Sequence, residues 1–196
     1  MMSENEMNAA RKAMIDSQLR TSGVNEGFVL ARMAAVPRED FVPAEARPIA
    51  YMDRAIALGD GHFLAAPLFH GKMLAQAQPT TEDRVLVVEG GSSYLAELVR
   101  PLVASCDTVS ADDTTVGTGK RKTYSLILVD GALEQFPEAL EKRLEEGGRA
   151  VCGLVARGVT RLASGRKIAG TLALQPLADI GIPVLHQFDK PRQWSF

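Results

Sequence analysis

Cysteine is scarce in this chain. Cys106 and Cys152 are the two in 196 residues, far apart and outside any CxxC pattern, which speaks against a disulfide framework and a reactive dithiol. Each lies in or beside an apolar run and reads as a buried free thiol. Histidine is sparse too. His62, His70 and His186 have none of the close spacings of a metal cluster, so no metal is expected. Nor is there an excess of charge of one sign. Lys+Arg 22 against Asp+Glu 24 leaves a net −2, so no broad basic field exists to draw nucleic acid or an anionic membrane. No run approaches the roughly 20 apolar residues of a membrane span. The opening residues 1–6 are acidic and polar, unlike a leader, and the expectation is a cytoplasmic chain. Internal repeats, low-complexity tracts and linkers are missing too, so residues 1–196 read as a single domain.

The hydrophobic pattern divides that domain into an N-terminal helical and loop region, 1–80, and a sheet-forming core, 81–196. Helices are expected over 8–19, stopped by Gly23, and over 26–36, capped by Asn25 and ended by Pro37. Residues 52–66 read as a loop around Gly59 and Gly61, and Pro67 suits the first turn of a third helix. Val85-Leu86-Val87-Val88 is a continuous apolar run of the kind covered on both faces, and 93–103 is its crossover helix. Strands follow at 108–111 and 124–129, the latter leading into a turn at Asp130-Gly131. A helix over 138–146 closes at Gly147-Gly148. Residues 149–155 and 159–163 read as further strands, with 171–174 and 183–188 completing an antiparallel edge. The class is α/β.

One connection is too short. Only the 11 residues 113–123 separate Asp112 from the strand at Tyr124, whereas a parallel crossover with its helix takes about a dozen or more. The segment is polar and broken by Gly117 and Gly119, so it reads as a loop in place of a helix. Its Lys120-Arg121-Lys122 reads as a solvated charge run, with phosphate contact the sharper alternative.

The most informative stretch is Val85 to Tyr94. A buried strand passes through Glu89-Gly90-Gly91-Ser92-Ser93 into an amphipathic helix, the layout of a nucleotide site in an open α/β sheet. A carboxylate stands at the first bend, where such turns favour bare backbone. Glu89 is open to a bland reading, a carboxylate stabilised by the helix dipole, and to a sharper one, a group close to a bound ligand.

Several blocks together resemble protein-L-isoaspartate O-methyltransferases over nearly the whole chain: residues 13–20, Val36-Pro37-Arg38-Glu39-Asp40-Phe41-Val42-Pro43, Tyr51-Met52-Asp53-Arg54, Gly59-Asp60-Gly61, the strand and turn from Arg84, Leu128-Val129-Asp130-Gly131-Ala132 and Gly147-Gly148-Arg149. The resemblance implies a Rossmann-like S-adenosylmethionine-dependent methyltransferase sheet, here with N-terminal helices and shortened after the second strand. It implies S-adenosylmethionine as cofactor, a protein or peptide substrate, and methylation of isoaspartyl carboxylates in damaged protein. Position by position, the family loop Gly-x-Gly-Gln-Thr-Ile-Ser-x-Pro corresponds to residues 59–67. Ala65 stands at the serine position, and His62 and Phe63 at those of Gln and Thr. The family turn corresponds to residues 85–94: Val87 replaces its acid, Glu89 its first glycine and Ser93 its third, while Gly91 keeps the middle one. The residues then expected around the cofactor are Glu89, Gly90, Gly91, Ser92, Asp112 and Asp130, with Asp112 matching the family's ribose-binding acid.

Three readings follow. The chain is a working isoaspartyl methyltransferase with unusual site residues, or an inactive methyltransferase-like interaction or regulatory protein, or a binder of another small ligand using an anion nest at residues 90–93. A methyl group cannot do what a hydroxyl does at residue 65, so weak or absent turnover is expected. The shortened 113–123 connection leaves a sheet edge that favours a homodimer.

Overall fold

The computed structural model describes residues 3–113 and 122–190. Lys120, Arg121 and most of the short connection after Asp112 lie outside the described residues.

Ser3 and Glu6 cap each other's backbone and start α1 (Glu4–Met14) ahead of the apolar spacing that predicts a helix from residue 8. The coil continues as a π-helical turn over Ile15–Leu19, carrying Met14 and Leu19 into the core. α2 (Gly27–Ala35) is capped at Glu26 rather than Asn25, with no side-chain hydrogen bond at the cap. Residues 52–66 are not a plain loop. They contain a hairpin of β1 (Ile56–Gly59) and β2 (His62–Leu64), joined where Asp60 and Gly61 take positive φ of 49° and 79°, the turn geometry that keeps the strand twist. α3 (Pro67–Ala77) opens on its proline as expected and buries Phe69, His70, Met73 and Leu74.

The core sheet is assembled from β3 (Arg84–Glu89), β4 (Ser105–Ser110), β5 (Tyr124–Leu133), β6 (Leu144–Ala156), β7 (Val159–Ile168), β8 (Thr171–Leu172) and β9 (Gln175–Asp179), in the order β4-β3-β5-β6-β7-β8, with β9 also on β7. The first four lie parallel; β7, β8 and β9 run antiparallel to their neighbours. Val85, Val87, Leu126 and Leu128 face α1, α2, α3 and α4 (Tyr94–Val99), whereas Leu86, Val88, Ile127 and Val129 face Leu140 of α5 (Glu138–Arg143), Leu185 and Phe188.

Further elements differ from the sequence expectation. α4 stops at Val99 and tightens into a 3-10 turn around Pro101, since proline cannot continue the ladder. Asp130-Gly131 is not a turn: β5 runs on to Leu133, because residues 183–185 hydrogen-bond along its end, Ala132 N–H to Pro183 O at 2.8 Å and Leu185 N–H to Ala132 O at 2.7 Å. α5 ends at Arg143, and Gly147-Gly148 lies inside β6 instead of closing a helix. Residues 183–188 give a single bridge, Val184 to Ala132, and a 3-10 turn at His186–Phe188, so the antiparallel edge is built by β9. Cys152 is buried and Cys106 half-buried, both as free thiols. Among the described residues no helix is long and apolar enough to cross a membrane, and no three His, Cys, Asp or Glu side chains cluster as metal ligands.

Candidate active site

The candidate site lies at the carboxyl ends of the parallel strands, where the crevice of an open α/β sheet binds ligands. β3 delivers Glu89 and the turn Gly90-Gly91-Ser92. β4 leads through a 3-10 turn to Asp112, and β5 carries Asp130. Gly90 is required by close packing: a Cβ there would fall 2.1 Å from the Asp130 carbonyl oxygen. Gly91 has φ 128°, and a Cβ would fall 2.4 Å from Cβ of His62, so the imidazole of the β1–β2 hairpin rests on this turn. The Ser92 hydroxyl accepts the Tyr94 N–H at 3.1 Å. α4 is only six residues long, which leaves little for the anion-nest reading.

Asp112 is a meeting point on the outer side. Gln187 donates to its Oδ1 at 2.6 Å, and His62 Nε2 lies 4.0 Å from its Oδ2. Leu185 fills the space over Gly131, where a Cβ would meet it at 2.5 Å. Residues 183–187 thus wall the crevice on one side and the hairpin on another. Between hairpin and wall opens a cleft of about 900 Å³ lined by Arg54, Phe63, Ala66, Thr160, Ile182 and His186. Phe63 is 37% exposed at its mouth; Ala65 is buried at 1%.

Beneath the crevice lies a polar network inside the core. Asp130, 2% exposed, binds His70 Nε2 through Oδ1 at 2.8 Å, and His70 Nδ1 meets Arg38 Nη1 at 3.2 Å. Arg38 is fully buried; it donates Nε–H to Ala50 O at 2.8 Å and Nη2–H to Ala65 O at 2.7 Å. Its guanidinium stands 4.9 Å from the Tyr94 ring centroid. Burial presses the Arg38 pKa downward, opposed by Tyr94 and Asp130. Because Arg38 can only donate, His70 Nδ1 accepts and Nε2 carries the proton given to Asp130. The hydrogen bond to Ala65 fixes the backbone of the hairpin exit. Glu89 is half-buried; burial raises its carboxyl pKa first, and Asp130 raises it further against a smaller opposing pull from Arg100.

The predicted residues therefore divide. Glu89, Gly90, Gly91 and Asp112 gather with His62 at the carboxyl ends of β3 and β4, Asp130 is buried beneath them on His70, Ser92 acts on the start of α4, Phe63 faces the adjoining cleft, and Ala65 lies beneath it. The roles of Arg38 and His70 at the site are not visible in the sequence. The available signal was a histidine on the buried face of an otherwise apolar helix, yet its partners are 32 and 60 residues away.

Comparison with known proteins bears on the family and the fold. Residues 9–112 match the family Protein-L-isoaspartate(D-aspartate) O-methyltransferase (PCMT). The chain belongs to that family. It is 33% identical over 193 residues to the protein-L-isoaspartate O-methyltransferase of Koribacter versatilis, covering 86% of this chain and 87% of that one. It is 30% identical over 194 residues to the corresponding protein of Roseiflexus castenholzii, covering 87% and 88%. The fold is likewise that of a solved protein-L-isoaspartate O-methyltransferase beta-aspartate methyltransferase from Plasmodium falciparum, in complex with S-adenosyl-L-homocysteine, with TM-score 0.74, 16% identity and coverage of 92% of this chain and 98% of that one. The Rossmann-like methyltransferase sheet is thus observed.

Proposed function

We propose that this protein is an S-adenosylmethionine-dependent protein-L-isoaspartate O-methyltransferase of slow turnover. The single observation that carries the reading is the convergence of carboxylates Glu89, Asp112 and Asp130 from three adjacent strands around the Gly90-Gly91 turn. That set of acceptors suits a cofactor with ribose hydroxyls and positive charge, and Asp130 keeps one buried oxygen, Oδ2, with no hydrogen-bond partner among the described residues. Asp112 would hold ribose hydroxyls, exchanging its exposed contact with Gln187 for the ligand.

When bound, the cofactor supplies an electrophilic methyl group. The acceptor carboxylate is its own nucleophile, so the protein need only align it and exclude water. The cleft beside Phe63 is the fitting place for the isoaspartyl side chain, next to the cofactor crevice. Arg38 holds the Ala65 carbonyl, so the segment before Pro67 presents a fixed backbone. It offers no hydroxyl to orient the carboxylate, and a lost donor at a reacting centre costs about 10²–10³ in rate.

Titration calorimetry with S-adenosylmethionine and S-adenosylhomocysteine, followed by methyl transfer to an isoaspartyl peptide and its aspartyl counterpart, tests the reading. Expected are saturable binding and slow transfer to the isoaspartyl peptide alone. Silence in both experiments overturns it.

A further inference from the structure

Glu89 and Asp130 stand side by side. Val88 pairs with Val129 in the parallel β3–β5 ladder, and the next residue on each strand is an acid. Both acids belong to the same sheet face, since Val87 and Leu128, two positions back, lie in one core cluster while Val88 and Val129 lie in the other. Strands are about 4.8 Å apart in a sheet, and like charges directly opposite destabilise it. The pair is relieved only in part. Glu89 makes no ion pair or hydrogen bond among the described residues; Asp130 has one oxygen on His70 and the other, buried, without a partner. Arg38 is set back behind the His70 ring, and Arg100 is engaged by Glu97 at 3.0 Å. Burial and Asp130 together raise the Glu89 carboxyl, so the two acids sense each other across the ladder.

We propose that the Glu89–Asp130 pair makes this crevice prefer a cationic methyl donor over its neutral demethylated product. The inference rests on the cofactor reading above. S-adenosylmethionine and S-adenosylhomocysteine share the ammonium, carboxylate, ribose and adenine; they differ by a methyl and the positive charge of the sulfonium. The half-buried Glu89 carboxylate, with Asp130 buried behind it, attracts that charge where screening is weak. The charge vanishes when the methyl leaves, so the same pair speeds product exchange. Glu89 occupies the place of a glycine in the family pattern, which makes this preference a property of the present chain.

The test is calorimetric. Dissociation constants for the two ligands are measured on the wild-type protein, on Glu89→Gln and on Glu89→Gly. In the wild type the donor binds more tightly than the product. Both variants lower that preference about tenfold, mainly by weakening the donor. Relief of the like-charge pair also raises the unfolding midpoint of the ligand-free variants, a readout independent of any ligand. An unchanged donor-to-product ratio, with both ligands still bound, overturns this inference and leaves the cofactor reading standing. Failure of the wild type to bind either ligand overturns both.

Discussion

Arg38 and His70 meet inside the core, Nη1 to Nδ1 at 3.2 Å, and this contact fixes which imidazole nitrogen faces Asp130. Two backbone carbonyls, Ala50 and Ala65, complete the guanidinium's set of acceptors. Arg38 thereby ties the block after α2, the hairpin exit and α3 to the end of β5.

Removing that cation strands buried acceptors and leaves Asp130 with no positive charge behind its histidine. Arg38→Met keeps much of the volume and loses every donor. The expected cost is about 3–5 kcal/mol, the range for breaking a buried charged network, read as a lower midpoint in urea unfolding. An unfolding curve that superimposes on wild type would show that the network contributes nothing.

Packing at the crevice turn makes a sharper contrast. A methyl at Gly90 would strike the Asp130 carbonyl at 2.1 Å, whereas one at Gly27 meets nothing within 4 Å. Gly90→Ala is expected to cost about 1–3 kcal/mol through overpacking and to abolish cofactor binding by spreading β3 from β5. Gly27→Ala, at a helical position, is expected to gain up to about 1 kcal/mol. Chemical denaturation of the two variants side by side decides the matter.

Much of the fold is legible where local pattern and final burial coincide. Val85 to Val88 and Tyr124 to Val129 are continuous apolar runs and form the central parallel strands. The β1–β2 hairpin is invisible because its strands are four and three residues long, too short to display an alternation. Asp130-Gly131 carries turn chemistry, yet long-range pairing with residues 183–185 holds it extended. Residues 138–146 are rich in helix formers, and their last part is drawn into β6. The same limit applies to the site. Glu89, Asp112 and Asp130 are marked by lying at the ends of recognisable strands, while Arg38 and His70 gain meaning only from partners distant in sequence.

Asp83 governs the acid side of stability. Burial alone would raise its carboxyl; hydrogen bonds from Arg149, from Ser125 at 2.7 Å and from the Thr80 N–H at 2.8 Å outweigh burial and hold it far below the usual carboxylate range. Arg149 grips both oxygens, at 3.0 and 2.7 Å. A depressed folded pKa contributes stability that is present above the unfolded value, about 3.9, and is lost as pH falls below it. Asp83→Asn should therefore lower stability at pH 7 and flatten its decline between about pH 5 and pH 2. Urea midpoints across that range give the answer; parallel curves for the two proteins would contradict it.

The two thiols should differ in reactivity. Burial pushes the Cys152 thiol up to about 12, and it raises Cys106 as well, with Arg100 opposing. Thiolate is the reactive form, so iodoacetamide at pH 8 should label half-buried Cys106 slowly and Cys152 only on unfolding. Peptide mass spectrometry with and without urea reads the order directly.

Ala65 is the position where one atom should matter most. Its carbonyl is pinned by Arg38 at 2.7 Å and its side chain is 1% exposed, so the backbone stays in place when the residue changes. Ala65→Ser adds a hydroxyl beside Ala66, which lines the cleft. If slow turnover stems from that missing group, the variant should raise kcat on an isoaspartyl peptide by about tenfold or more, within the range that a single donor supplies. The dissociation constant of the methyl donor should stay constant, because the change lies on the acceptor side. Placing a hydroxyl in a tight site carries a stability cost of about 1–3 kcal/mol if the group finds no partner. A large loss of stability without a gain in kcat would mean that the hydroxyl points into the core and that acceptor alignment rests on other residues, with Phe63 and Arg54 at the cleft the next to vary.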